Sequence, residues 1–161
     1  VRYIEISNIN PITNELHSYS EMKVHELPSR ATFEVKEGDI LTAVSGISTG
    51  TPMHASAYVT SDFKGCISTN GMRALRPLNI NPFYLLAYIK SDLFLEQMLQ
   101  SRTGAAIPSV CDEELREVLV LLPAKEIQER IANKVKESYD LKEKSKQVLI
   151  ESKEILNSII V

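Results

Sequence analysis

Three histidines, two cysteines and a run of carboxylates are the side chains of this 161-residue chain best suited to catalysis or metal binding. Their spacing speaks against both. His17, His25 and His54 are dispersed, with no pair spaced to hold one metal ion. Cys66 and Cys111 stand alone, without CxxC spacing, and read as two small buried apolar residues in a reducing cytoplasm rather than as a disulfide framework. None of the many serines sits in a GxSxG elbow. Asp112-Glu113-Glu114 and Glu117 fit the N-terminus of a short helix, where the dipole favours anions. No metal, cofactor or catalytic group is expected.

Two other stretches look like chemistry and are better explained by backbone geometry. GISTG, Gly46 to Gly50, is too short for a phosphate loop and lacks the Lys. NPFY, Asn81 to Tyr84, is similar to the NPPY motif of adenine methyltransferases, but its second Pro is missing and no Gly-rich cofactor loop precedes it. Asn81 as an N-cap with Pro82 at the first helical position is an ordinary helix start. No enzyme is visible in these residues.

Composition bounds the rest. A 43% apolar share is that of a globular protein with a real core, and the length suits one compact domain. No apolar run approaches the roughly 20 residues of a membrane span. The opening VRYIEI has no initiator Met and no signal-peptide pattern, so a piece excised from a longer polypeptide is expected. Net charge is −3, unevenly spread. Residues 1–122 hold ten Lys/Arg against fourteen Asp/Glu, whereas residues 123–161 hold eight against seven. An acidic front part weighs mildly against a phosphate-coating DNA binder, although local patches override a sum.

The elements that must position any recognition surface are mixed, an α+β pattern over residues 1–122 followed by a long helix over 123–161. VRYIEISNIN and ATFEV alternate as strands do, EGD is a turn, and ILTAV is a short buried strand. SGISTGTPMH then forms a loop with two glycines. AYVTSDFKGCIST and MRALRPL are further strand candidates around an Asn70-Gly71 turn. NPFYLLAYIKSDLFLEQMLQS has helical spacing through Leu85, Ile89, Phe94 and Met98, and Gly104 is expected as its C-cap. Asp112 is expected to cap a short helix, and VLVLL to be a strand.

From Lys125 to Val161 there is no Gly or Pro. A helix of that length is a rod of roughly 55 Å. Its 4-3 seam runs Ile127, Ile131, Lys134, Ser138, Leu141, Ser145, Val148, Ser152, Ile155, Ile159, with Val135, Leu149 and Leu156 on one flank. Small residues recurring every seventh position let a facing helix approach closely, so Ile127, Ile131, Ser138, Leu141, Ser145, Val148, Ser152, Ile155 and Ile159 are the expected dimer interface. The alternative is that the rod packs on its own domain.

The ordered set EGDIL, CISTNGMRALRP, NPFYLLAYIKSD, RTGAAIPSV and LREVLVLLPAKEIQERIANKV resembles one half of a specificity subunit of type I restriction–modification systems. Pro123-Ala124 stands where that family has a double proline, and Glu126-Ile127-Gln128 where it has a Glu-Gln pair. The resemblance implies a target recognition domain that reads a half-site of double-stranded DNA. It also implies a helix that holds two such domains apart, antiparallel, at opposite ends of the rod. The implied partners are a DNA adenine methyltransferase subunit and a restriction subunit, and here a homodimer through the helix. Thr103 to Pro123 then serves to fix the domain on its rod.

The family has no fixed set of base contacts, so DNA candidates come from residue type alone. Forks, amides and hydroxyls on loops are needed. Ser45, Ser48, Thr49, Thr51 and His54 lie in the glycine loop, Lys64 on the next turn, Asn70 and Arg73 beyond it, and Arg102 and Thr103 at a helix end. Two other classes compete with this one. A coiled-coil interaction module without DNA binding suits the acidic front part. A recognition domain cut from a fused methyltransferase–specificity polypeptide suits the missing N-terminus, and would have a Gly-rich cofactor loop and NPPY encoded upstream.

Overall fold

The computed structural model describes residues 1–160. Its strands are β1 (Arg2–Ile4), β2 (Ile9–Asn10), β3 (Glu15–Leu16), β4 (Ser20–Glu21), β5 (Ala31–Glu34), β6 (Ile40–Ala43), β7 (Ser56–Tyr58), β8 (Ile67–Thr69) and β9 (Met72–Leu75). Its helices are α1 (Pro82–Ile89), α2 (Asp92–Ser101), α3 (Asp112–Glu117) and α4 (Lys125–Ile160). Val161 lies outside the described residues. The α+β class expected from the alternation and the helical stripes is the one observed.

A four-stranded sheet has the order β4-β1-β8-β5, a three-stranded sheet the order β7-β6-β9, and β2-β3 form a two-stranded ladder. Asn70-Gly71 turns the chain out of one sheet and into the other rather than closing a hairpin. Gly71 needs no left-handed backbone there. β6 explains the burial of ILTAV: alternate side chains point to opposite faces and both faces are covered. Leu41 and Ala43 join a core between the sheets with Ile4, Val35 and Met72. Ile40 and Val44 join a second core with Leu86, Ile89, Phe94 and Met98 of the helices. The turn before β6 is pinned by Asp39, 1% exposed, whose two oxygens accept from Arg76 Nε and Nη2 at 2.7 Å each.

Asn81 caps α1 as expected, its Oδ1 accepting from Phe83 N at 2.9 Å. The single helix read over 81–101 is two helices. Ser91 accepts from Phe94 N and starts a new helix, and Lys90 turns inward, its Nζ donating to Pro11 O, His54 O and Pro52 O at 2.9, 2.8 and 3.4 Å. Gly104 is likewise not the cap. Arg102 holds that position in an extended conformation, and Gly104 (φ +96°) bends the following loop, where a Cβ would lie 2.9 Å from Ile107 O. Cys111, exposed rather than buried, is the N-cap of α3, with Asp112 in the first turn.

VLVLL is extended but pairs with no strand among the described residues. Side chains of α1 and α2 take the place of a neighbouring strand. Tyr88 donates to Leu119 O at 2.7 Å and Tyr84 to Leu121 O at 2.5 Å. The Gln97 amide grips Leu119 from both sides, accepting from its N at 2.8 Å and donating to its O at 3.1 Å. This segment leads directly into α4.

The first half of α4 packs on its own domain, so the self-packing alternative holds for part of the rod. Ala132 is buried, Val135 and Tyr139 join the helical core, and Tyr139 donates its hydroxyl to Asn14 O. Burial pushes that phenol well above its ordinary pKa. Lys142 donates to Thr13 O at 2.8 Å, and Lys142 and Lys146 both approach Glu15, at 3.6 and 3.8 Å. Gln128 donates to Pro123 O at 2.8 Å. Residues 128, 132, 135, 139, 142 and 146 thus form a second 4-3 stripe, one residue on from the seam. At about 100° per residue the two stripes face different ways. The seam itself stays open to solvent: Ile127, Ile131, Ser138, Leu141, Ser145, Val148, Ser152, Ile155 and Ile159 are all exposed. No helix of the described residues is long and apolar enough to cross a membrane.

Candidate nucleic-acid interface

One end of the three-stranded sheet gathers most of the polar loop residues picked out by type. Val44 N donates to Gly71 O at 2.9 Å, which brings the start of the glycine loop beside Asn70. Ser45 bridges Ser109, and Ser109 pairs with Thr103 through two backbone bonds of 2.8 Å. Ser45, Ser48, Asn70 and Thr103 therefore share one rim. Asn70 and Thr103 are exposed, and Ser45 and Ser48 partly so. Lys64 is elsewhere, at the opposite end of β8, where its carbonyl accepts from Arg2.

The loop over 45–54 is pinned by contacts that bury two of the DNA candidates. His54 is fully buried. Gly50 N donates to its Nδ1 at 3.1 Å, so Nδ1 is the bare nitrogen and Nε2–H donates to Thr42 Oγ1 at 2.8 Å. Thr49 is equally buried, and its hydroxyl has no partner among the described residues. Both were expected as DNA contacts; both are instead interior parts of the loop. Gly50 has φ +77°, and a Cβ there would lie 2.6 Å from Leu99 N, so only glycine lets the loop lie against α2. Thr51 closes an inner turn, its hydroxyl donating to Ser48 O at 2.8 Å.

The two arginines are framework first. Arg102 Nη1 donates to Ile47 O and Thr49 O at 3.1 Å each, clamping the loop from the end of α2. Arg73 is held by Asp112 at 2.6 Å through Nε, and its Nη1 donates to Asn70 O and Met72 O at 2.6 and 2.9 Å. Side-chain exposure of 33% leaves Arg73 reachable from the rim. Sequence reasoning missed Ser109, Thr42 and Lys90, which complete this arrangement. Lys90 meets partners 79, 38 and 36 positions away, and Ser109 and Thr42 act through tertiary pairing, so spacing carries no signal for them.

Burial holds the His54 imidazole down at a pKa of about 4, with the Lys90 ammonium adding to the shift, against an ordinary value of 6.5. The native ring stays neutral while the unfolded one takes a proton as pH falls below 6.5. Stability should therefore be intact above pH 6.5 and decline by about 1.4 kcal/mol per pH unit toward pH 4, roughly 3 kcal/mol in all. Urea unfolding of wild type and His54→Gln at pH 7 and pH 4.5 checks this. The variant should start less stable and lose less on acidification; parallel losses would contradict it.

The model of the type I restriction modification DNA specificity domain matches residues 2–152. A search of curated proteins gave no match. Among solved structures, the chain is similar to one from a study of complex assembly and conformational transition of the type I restriction–modification system. The TM-score is 0.72 at 27% identity, covering 94% of this chain and 38% of the other. It is also similar to the HsdS subunit from Thermoanaerobacter tengcongensis, with a TM-score of 0.71 and 26% identity, covering 94% of this chain and 38% of that one. The chain thus spans 38% of the length of each. With the match running over nearly the whole domain and most of the rod, the chain belongs to the type I restriction–modification DNA specificity domain family, a recognition element and not a catalyst.

Proposed function

We propose that this chain reads one half-site of double-stranded DNA and directs a partner DNA adenine methyltransferase subunit to it in the cytoplasm, with a restriction subunit joining the same assembly. The observation that carries the reading is the shared rim of Ser45, Ser48, Asn70 and Thr103, in a family defined by DNA specificity. A buried imidazole, a clamping arginine and a chelated lysine hold this rim still. Preorganisation of that kind lowers the ordering cost of binding. Asn70 is the strongest base-reading candidate, because an amide can pair two ways with an adenine edge. Arg73, beside it, is placed for a phosphate or a guanine once its Asp112 bond opens. The rod holds a second copy, so that two half-sites are read at once.

Affinity of the isolated chain should be weak and salt dependent, each neutralised phosphate contributing about 0.9 to the log–log slope. Fluorescence anisotropy on a mixed-sequence duplex at low salt tests the rim. Ser48→Ala/Asn70→Ala/Thr103→Ala should bind roughly ten-fold more weakly. Lys64→Ala should bind like wild type. Equal affinity of the triple variant and wild type would remove the rim from the reading.

A further inference from the structure

Two large apolar side chains stand on the polar rim. Ile47, in the glycine loop, is 80% exposed, and Ile107, in the loop after α2, is 67% exposed. Within the glycine loop the usual arrangement is inverted, because Thr49 and His54 are fully buried while an isoleucine faces water. Scattered single apolar side chains are ordinary on a surface. Two on adjoining loops, beside hydroxyls and an amide, are a different matter. We propose that Ile47 and Ile107 read the C5-methyl group of thymine in the major groove and so demand an A·T pair at one or two positions of the half-site. The assignment rests on the proposed reading of DNA by this rim and names a base that the rim selects.

The backbone brings the two isoleucines together. Ser45 and Ser109 form an antiparallel bridge, with Val110 N donating to Val44 O at 2.8 Å and Gly46 N to Pro108 O at 2.9 Å. Carrying that register two residues on sets Ile47 across from Ile107. Both loops are fixed close to these residues. Arg102 Nη1 donates to Ile47 O and Thr49 N to Gly46 O, each at 3.1 Å, while Thr103 and Ser109 close the second loop. Isoleucine itself has little freedom to lose, since two branches on Cβ restrict χ1. Covering such a side chain with DNA therefore costs little ordering.

Base-edge chemistry selects the groove and the base. The thymine methyl is the apolar group that a base pair presents in the major groove, and the minor groove presents none. Asn70, on the same rim, can pair two ways with adenine N6 and N7, an edge that also lies in the major groove. One docking thus serves the amide and the isoleucines together. An isoleucine takes the methyl out of water. Cytosine in its place would offer no methyl, and would bring an amino donor against a side chain that cannot accept from it.

Uracil in place of thymine deletes that methyl and leaves base pairing intact. The full chain is used to select duplexes from a random pool, and the enriched sequence is remade with uracil at each thymine in turn. In fluorescence anisotropy at low salt, uracil at one or two positions should weaken wild-type binding about four-fold, the worth of roughly one buried methyl. Ile47→Ala should bind the thymine duplex about four-fold more weakly and ignore uracil at one of those positions. Ile107→Ala, whose side chain is likewise in solvent and not needed for the fold, should show the same loss of sensitivity at its own position. Wild type that tolerates uracil everywhere, or an enriched sequence without thymine, overturns the inference while the rim still reads DNA. Uracil sensitivity that persists in both alanine variants also overturns it, by giving the methyl to other residues. Equal loss by Ile47→Ala on thymine and uracil duplexes would make the isoleucine a wedge between bases, against the proposal. No enriched sequence at all would remove the reading of DNA, and the inference with it.

Discussion

Val148→Glu should turn the dimer proposed through α4 into monomers while leaving residues 1–122 folded. Val148 is 54% exposed in the single chain and lies beyond the docked stripe, which runs to Lys146. Its carboxylate in the variant would be harmless to a monomer. In the proposed pair it would be buried in the seam between the two rods, and two-fold symmetry repeats the fault. At about 2 kcal/mol for each partly desolvated charge, the dissociation constant should rise roughly a thousand-fold. Sedimentation against concentration, with circular dichroism to follow the fold, checks it. A dimer that survives the substitution would mean the seam is not the interface.

The second large effect concerns spacing. Duplicating Val148–Glu154 inserts one heptad beyond the docked part of the rod and repeats one large and one small seam residue, so the layers still match. The two domains should move apart by about 10 Å along the axis, close to three base-pair steps. Two selected half-sites should keep their sequences while the unread stretch between them lengthens by about three base pairs. The docked stripe changes what the seam alone suggested. Each domain sits over the first half of its rod rather than only at its tip, so in the proposed pair half-site spacing would depend on where the rods meet as well as on their length. A spacer that does not change would separate half-site distance from the rod.

Some features are legible because their causes are local, although the caps of α2 and α3 each fall one or two residues from the expected Gly104 and Asp112. Asn81-Pro82 starts a helix whatever surrounds it, ILTAV is buried on both faces, and a seam every three or four residues needs no tertiary knowledge. The second stripe was equally legible at Gln128, Ala132, Val135 and Tyr139, and was hidden by the stronger apolar signal one residue away. The larger differences arise where distant groups decide the outcome. Ser91 breaks a continuous apolar stripe because Lys90 has three carbonyls to reach from other loops. VLVLL is held by tyrosine hydroxyls 31 and 37 residues away rather than by a strand. At the rim, residue type found the right loop but gave no means of telling the outward Asn70 from the inward His54. Both are polar, and only the pairing of His54 with Thr42 and Gly50 turns it into the core.

The central claim is that this chain reads DNA sequence, and selection from a random duplex pool tests it most directly. The wild-type chain, together with the methyltransferase subunit proposed as its partner, would be used to retain bound fragments over several rounds at low salt. The expected result is enrichment of two inverted copies of one short sequence separated by a stretch of unread bases, lost with Asn70→Ala. A retained pool with no enriched sequence, or no retention at any salt concentration, would contradict it.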